Sequence, residues 1–266
     1  MRRRLDVELV RRGLAPSAAR AVDAIAAGRV IVSGAPATTA ARQVDAAEPI
    51  VVHPEADPDT FVSRGGTKLA GALDAFGVEC AGRRAVDVGA STGGFTDCLL
   101  QRGAAHVIAI DVGHGQLAWT LRNDPRVTVM ERTNVCELPA GAIDPPADLC
   151  VADLSYISIR TVAPNLLDLT TPDADYVLLV KPQFEAGRAR IERGGIVRDQ
   201  AVHEGVLRDV VNVLERHGLG VAALVTSPLR GADGNIEFFA RARRGPALVD
   251  AAAIARVVAD AHGVAA

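Results

Sequence analysis

Ala85-Val86-Asp87-Val88-Gly89-Ala90-Ser91-Thr92-Gly93-Gly94-Phe95-Thr96 carries the clearest signature of fold class in the sequence. Ala85 to Val88 reads as a short strand, 89–94 as a glycine loop, and Phe95 to Arg102 as a helix closed by Gly103. A second strand, His106 to Ile110, ends at Asp111, 22 positions after Gly89. Strand, glycine loop, helix and a later acid is the nucleotide-binding pattern of a doubly wound sheet. The glycines let the backbone approach a ligand, and the acid holds ribose hydroxyls. The loop is neither G-x-G-x-x-G nor G-x-x-x-x-G-K-[ST], which argues against a dinucleotide and against a gripped triphosphate. Asp87 repels a pyrophosphate and suits the ammonium of a methionine moiety, so the expected cofactor is S-adenosylmethionine. Its candidate contacts are Asp87, Gly89, Ala90, Ser91, Thr92, Gly93, Asp111 and Asp153. The alternative is a glycine turn that merely packs helix on strand.

On both sides of this segment helix and strand alternate, from about residue 62. Helices are expected at 69–76, 117–121, 201–216 and 248–262, with strands at 127–130, 149–152, 176–180, 221–225 and 236–240. This predicts an α/β fold with an open, mostly parallel seven-stranded sheet. Ligands of such sheets bind at the carboxyl ends of the strands. Asp153 and Lys181 both stand there, each after an apolar strand, and Glu237 lies inside an otherwise apolar one. Lys68 falls just before the first helix of this body.

The two lysines stand out in composition. Of 29 basic side chains, 27 are Arg and only Lys68 and Lys181 are Lys. Lysine loses its proton readily on burial whereas Arg stays charged, so these two are candidates for proton chemistry. A lone charge at a strand end is ordinarily a satisfied ion pair; three converging on one edge are harder to dismiss.

Residues 1–44 carry eight Arg and three acids, a local charge of +5 within a chain of net charge −3. They read as helix, helix, then short strands: Leu5, Leu9 and Val10 at helical spacing, Ser17 as an N-cap, Val30–Val32 and residues 49–52 as strands. A basic module on an acidic body points to a nucleic-acid handle, with Arg3, Arg4, Arg11, Arg12 and Arg20 as candidate RNA contacts. In the body, Arg64, Arg188, Arg190 and Arg193 are candidates to grip phosphates. Residues 53–60 are acidic, Pro-bearing and aperiodic, which suits a linker. The chain thus divides into an RNA-binding domain with its linker (1–60) and a catalytic domain (61–266).

Several classes are excluded. Hydrophobic residues at 49% rule out wholesale disorder, and no apolar run approaches a membrane span. The basic start is not followed by the apolar core of a signal peptide. Cys80, Cys98, Cys136 and Cys150 lack metal or redox spacing, so no metal is expected and a reducing cytoplasm is.

The first 52 residues resemble the RNA-binding domain first seen in small-subunit ribosomal protein four, through Arg4-Leu5-Asp6, Leu9 to Ala21 and Ile25 to Gly34. Lys68, Asp153, Lys181 and Glu237 resemble the K–D–K–E tetrad of ribose 2′-O-methyltransferases. Motif for motif the chain is similar to the TlyA family, once labelled hemolysins, with an FtsJ-like methyltransferase domain. The matching segments are 61–69 (FVSRGGTKL), 87–96 (DVGASTGGFT), 111–117 (DVGHGQL), 152–158 (ADLSYIS), 181–185 (KPQFE) and 234–239 (GNIEFF). The resemblance implies methylation of cytidine 2′-hydroxyls in the ribosomal RNA of assembled subunits, and in actinobacterial members a link to capreomycin sensitivity. It implies that Lys181 activates the hydroxyl, that Asp153 orients it, and that Glu237 holds Lys68 and the ribose. Phe61, Tyr156, Phe184, Phe238 and Phe239 flank these motifs and are candidates to stack on adenine or on an exposed cytosine. An amino methyltransferase is the rival enzyme, but it would carry N-P-P-[YF] or D-P-P-Y where this chain has Asp153-Leu154-Ser155-Tyr156. A membrane-active hemolysin lacks a suitable apolar segment here, a non-catalytic ribosome-binding factor would not need the tetrad, and a pseudouridine synthase would not need the glycine loop.

Overall fold

Alternating apolar residues set the strands, because successive side chains of a strand point to opposite faces. In β6 (Arg84–Val88), Val86 and Val88 enter one buried cluster and Ala85 the other. In β9 (Ala147–Ala152), Cys150 and Ala152 face the first cluster, Leu149 and Val151 the second. β10 (Thr170–Val180) divides likewise: Tyr176, Leu178 and Val180 against Val177 and Leu179. Strands apolar on both faces need helices on both faces. The computed structural model supplies them. It describes residues 2–52, 61–187 and 195–263, so the expected linker at 53–60 and Arg188, Arg190 and Arg193 lie outside the described residues.

The chain divides into two compact units, Met1–Asp59 and Thr60–Ala266. The second is built on a seven-stranded sheet of order β11-β12-β10-β9-β6-β7-β8, with β7 (His106–Ile110), β8 (Val127–Met130), β11 (Leu219–Thr226) and β12 (Phe238–Arg244) completing it. The pairs β10–β9, β9–β6, β6–β7 and β7–β8 are parallel; β12 is antiparallel to both of its neighbours. The α/β, mostly parallel expectation holds.

Helices α3 (Arg64–Phe76) and α4 (Gly94–Gln101) cover one face, and α6 (Ile159–Asp168), α8 (Gln200–Arg216) and α9 (Ala251–Ala261) the other. In α8 the buried residues His203, Val206, Leu207, Val210, Val211 and Leu214 form one stripe at helical spacing, and Asp199 caps its start through Ala201 N at 2.8 Å. Two short helices, α5 (Trp119–Arg122) and α7 (Pro182–Glu185), sit after strand ends.

Three of the differences from the sequence expectation bear on the site or its supporting layer. Helix α3 begins at Arg64, so Lys68 lies within its second turn rather than before it. Gly65-Gly66 reads as a breaker, yet a Cβ at Gly66 would lie 2.2 Å from the Phe61 ring, so the glycine makes room for packing inside a helix. Strand β12 starts at Phe238, which puts Glu237 just before the strand and not within it. Helix α6 is absent from the sequence expectation, and Pro164 stands inside it.

The first unit packs α1 (Leu5–Arg11) and α2 (Ala18–Ala26) on small sheets. One pairs β1 (Arg3–Arg4) with β4 (Gln43–Val44); the other has β2 (Val30–Val32) between β3 (Ala35–Pro36) and β5 (Ile50–Val52). Leu5, Leu9, Ala21, Ile25, Val30 and Val32 form its core, and Ser17 caps α2 as expected.

Candidate functional site

The loop after β6 is required to be glycine at residue 89 on two grounds. Its φ is +87°, and a Cβ there would lie 2.5 Å from the Asp153 carbonyl oxygen. The first loop therefore rests on the backbone leaving β9, where Asp153 N donates to Val88 O at 3.0 Å. Asp111, after β7, accepts from Ser91 N at 2.8 Å and from Gly113 N at 2.6 Å, which ties the first loop to the second.

Between these strand ends opens a cavity of about 530 Å³, walled by Gly89, Ser91, Asp111, Gln116, Asn134 and Asp153 among others. Among the described residues its wall carries two carboxylates, Asp111 and Asp153, and no Lys or Arg. A pyrophosphate finds no cation here, whereas a positively charged nucleoside of adenosine size suits both the volume and the charge. Ala90 and Thr92 line a smaller adjoining hollow of about 150 Å³, together with Ser63, Lys68, Asp153, Ser155 and Lys181. Gly93 packs instead: a Cβ there would meet Leu121 at 2.3 Å.

Asp87 lies behind the loop. It is fully buried; Oδ2 accepts from Thr96 Oγ1 at 2.7 Å, and Oδ1 has no hydrogen-bond partner among the described residues. Burial, then the nearby Asp153 charge, push its carboxyl up to about 7 against the lowering effect of the Thr96 hydrogen bond. It is not among the described residues that line either cavity, and its Oδ1 is the acceptor left without a partner behind the loop.

The four expected tetrad residues meet at one sheet edge, and the strand register explains how. β9 and β10 run parallel and end at Ala152 and Val180, which delivers Asp153 and Lys181 side by side. β12 is antiparallel with Phe238 opposite Val180, so Glu237 enters the sheet at the same edge. Lys68 arrives from α3. Its Nζ donates to Glu237 Oε2 at 2.5 Å, and their side chains are 10% and 2% exposed. Lys181 Nζ ion-pairs with Asp153, whose side chain is 23% exposed, and donates to Ser155 Oγ at 3.1 Å. The ring of Phe184 lies 5.9 Å from the Lys181 nitrogen.

The turn that carries Asp153 is clamped. Glu185, buried at the end of α7, accepts from Ile159 N at 2.7 Å, Ser158 Oγ at 2.5 Å and Arg160 Nε at 3.0 Å. The segment after Lys181 thus holds the segment after Asp153. Within that turn Tyr156 has a φ of +66° and is 91% exposed, its ring 5.2 Å from that of Phe184. An aromatic side chain kept in the left-handed region and in solvent is costly to both backbone and surface, a mark of use.

Residues 61–244 match the FtsJ-like methyltransferase family and residues 3–50 the S4 domain. The chain is 51% identical to the 16S/23S rRNA (cytidine-2′-O)-methyltransferase TlyA of Mycobacterium tuberculosis, over 90% of this chain and 88% of that one. The chain belongs to the FtsJ-like methyltransferases, and within them to the TlyA group. Hemolysin A of Brachyspira hyodysenteriae is 39% identical over 89% of this chain and 98% of its own. A solved structure of a hemolysin-named protein from Streptococcus thermophilus superposes with a TM-score of 0.75 at 36% identity, covering 99% of this chain and 96% of that one. No helix among the described residues is long and apolar enough to cross a membrane, and no group of three or more potential metal ligands occurs among them.

Seen as an FtsJ-like methyltransferase, the chain uses its aromatics unevenly. Phe238 and Phe239 are fully buried and belong to the core clusters on opposite faces of the sheet, and Phe61 packs against the Gly66 backbone. Of the five aromatics singled out from sequence, Tyr156 and Phe184 lie outside these clusters. Ser155 and the Glu185 clamp were not singled out from sequence, although both lie in quoted motifs, ADLSYIS and KPQFE. Their partners are 25 to 27 positions away, and no local pattern announces such contacts.

The arginines of the S4 domain also divide. Arg12 is committed inside the fold: it donates to Glu8 and to the carbonyls of Asp45, Ala46 and Glu48, at 2.8 to 3.0 Å. It clips α1 to the turn before β5, so its guanidinium is engaged within the domain. Arg11 forms a two-pronged pair with Glu8, and Arg4 with Asp6, each with about half of its side chain exposed. The hydrogen bonds of Arg11, then Arg12, hold the Glu8 carboxyl down at about 2. Arg3 lies in β1, Arg20 is exposed on α2, and Arg64 is exposed at the start of α3, donating to the Arg230 carbonyl at 2.6 Å.

Proposed function

We propose that this protein transfers a methyl group from S-adenosylmethionine to the 2′-hydroxyl of a cytidine in ribosomal RNA, within assembled subunits, using Lys68, Asp153, Lys181 and Glu237. The observation that carries the reading is the placement of the chain's only two lysines: both line one small hollow, each against a carboxylate, beside a carboxylate-walled cavity.

S-adenosylmethionine, when bound, supplies a methyl group that is already a good electrophile. Asp111 would hold its ribose, the 89–93 loop would pass along it, and Asp153 and the buried Asp87 would offset its positive charge. What remains is to align the 2′-oxygen and remove its proton. Lys181, as the amine, takes that proton as the oxygen is methylated and ends as an ammonium. Asp153 holds Lys181 in place. Lys68, fixed by Glu237, presents a positive charge to the ribose oxygen as its own charge grows. Tyr156 and Phe184 would stack on the base of the target nucleotide, turned out so that its ribose is reachable. Residues 1–60 would grip the RNA through Arg3, Arg4, Arg11 and Arg20, and Arg64 would add a phosphate contact near the site. Such binding weakens steeply with salt, and an affinity for subunits that ignores salt would count against it.

The test is methyl transfer from labelled S-adenosylmethionine to unmodified ribosomal subunits, with the product mapped by nuclease digestion and mass spectrometry. Label on a cytidine 2′-oxygen is expected. Label on a base overturns the tetrad reading in favour of an amino methyltransferase. The capreomycin link belongs to the same reading: ribosomes lacking the modification are expected to be less sensitive to the drug.

A further inference from the structure

Lys181 Nζ ion-pairs with the Asp153 carboxylate and, at 3.1 Å, donates to Ser155 Oγ. Ser155 stands two residues after Asp153 on the same turn and lines both the 530 Å³ cavity and the 150 Å³ hollow. The turn cannot drift. Tyr156 fixes its next backbone step in the left-handed region, and Ser158 and Ile159 are bound by Glu185.

An uncharged amine carries two N–H bonds and one lone pair in a tetrahedral arrangement. It turns freely about Cε–Nζ among three staggered positions. One acceptor leaves the lone pair two directions to choose from; two acceptors on the same nitrogen leave one. Resting on the reading that Lys181 takes the 2′-hydroxyl proton, we propose that Ser155 is a positioning residue for Lys181: with Asp153 it occupies both N–H bonds of the amine and aims the lone pair at the ribose hydroxyl. The proton passes from the 2′-oxygen to that lone pair, and the resulting ammonium keeps its bonds to Asp153 and Ser155. The hydroxyl of Ser155 donates nothing to the substrate in this account. Its effect falls on the proton-transfer step and not on binding.

The experiment is single-turnover methyl transfer to unmodified ribosomal subunits by the full chain, comparing wild type with Ser155→Ala, Ser155→Thr and Lys181→Ala. Donor affinity is measured alongside by calorimetry. Ser155 is exposed, so its truncation leaves the core packing intact. Ser155→Ala is expected to slow the step by about three- to tenfold through lost orientation. The half-saturating subunit concentration and the donor affinity stay unchanged, and Ser155→Thr restores the rate. A wild-type rate in Ser155→Ala overturns the proposal. So does a loss that appears as weaker binding of either substrate, or one that threonine does not restore. Lys181→Ala separates this proposal from the reading beneath it. An inactive Lys181→Ala beside a fully active Ser155→Ala overturns only the role of Ser155; an active Lys181→Ala overturns the assignment of Lys181 itself.

Discussion

Two lysine–carboxylate pairs stand at one sheet edge, built from the same chemical groups and differing in surroundings. Lys68 and Glu237 form a closed pair: one contact of 2.5 Å, with the carboxylate 2% exposed and behind the hollow. Lys181 and Asp153 form an open one: the carboxylate is 23% exposed and faces both cavities, and the lysine has a second acceptor in Ser155. Proton transfer needs a group that can change its charge and its partners during turnover. The closed pair cannot do so without leaving a charge buried and alone; the open pair can, because its acceptors border the hollow. Residue type alone would have made the two lysines equivalent.

The largest expected effect breaks the open pair. Asp153→Asn leaves Lys181 without its counter-charge and should slow methyl transfer by roughly 100- to 10,000-fold, in line with loss of a general acid–base partner. Thermal unfolding should move little, because the pair is partly solvated. A rate within tenfold of wild type would return the two pairs to equal rank.

Breaking the closed pair should act on stability. Glu237→Ala leaves the Lys68 ammonium buried without a partner and is expected to destabilise the fold by about 3–5 kcal/mol. Replacing both members together, as Lys68→Met with Glu237→Leu, should recover most of that loss because no buried charge remains. Chemical denaturation measures both. A double variant as unstable as the single one would mean that packing, and not the lone charge, carries the effect.

A smaller effect sharpens the comparison through a third carboxylate. Asp87, pushed up to about 7 chiefly by burial, is about half protonated near neutral pH. Its folded pKa lies above its unfolded one, so its contribution to stability is full below about pH 4 and is lost as pH rises through 7. A cationic donor bound nearby favours the carboxylate, so binding at pH 7 should release about half a proton, and almost none above pH 8.5. Calorimetry in buffers of different ionisation enthalpy reads this directly, and Asp87→Asn should abolish it.

The smallest effect lies far from the site. Glu8, held at about 2 by Arg11 and Arg12, contributes stability that is present above its unfolded value near 4.5 and lost as pH falls toward 2. The S4 domain should therefore loosen between those values, and Glu8→Gln should flatten that acid limb.

Much of this was legible in the sequence. The glycine loop, Asp111 and the strand-end Asp153 and Lys181 announce themselves because apolar strands must end where a polar residue begins. The S4 domain was legible through its helix cap and turn glycines. What stayed hidden has physical reasons. Pro164 masks α6, Gly65-Gly66 masks the start of α3, and Thr171-Pro172-Asp173 masks the first half of β10, because local breakers were overruled by packing. The partner of each lysine came from the family resemblance alone, because no local pattern announces it. Lys68 and Glu237 are 169 positions apart, and only the antiparallel register of β12 brings them together. The surroundings of Arg12 and Asp87 were hidden because burial, which a sequence shows poorly, decides whether a charge meets solvent or backbone.

The division of labour between the lysines rests most directly on one paired measurement: single-turnover methyl transfer and thermal unfolding of Lys68→Met and Lys181→Met, side by side. Lys181→Met is expected to lose at least about 100-fold in rate while melting close to wild type, and Lys68→Met to melt clearly lower because Glu237 is left alone. A Lys181→Met that transfers methyl groups at the wild-type rate, or a Lys68→Met as stable as the parent, would contradict it.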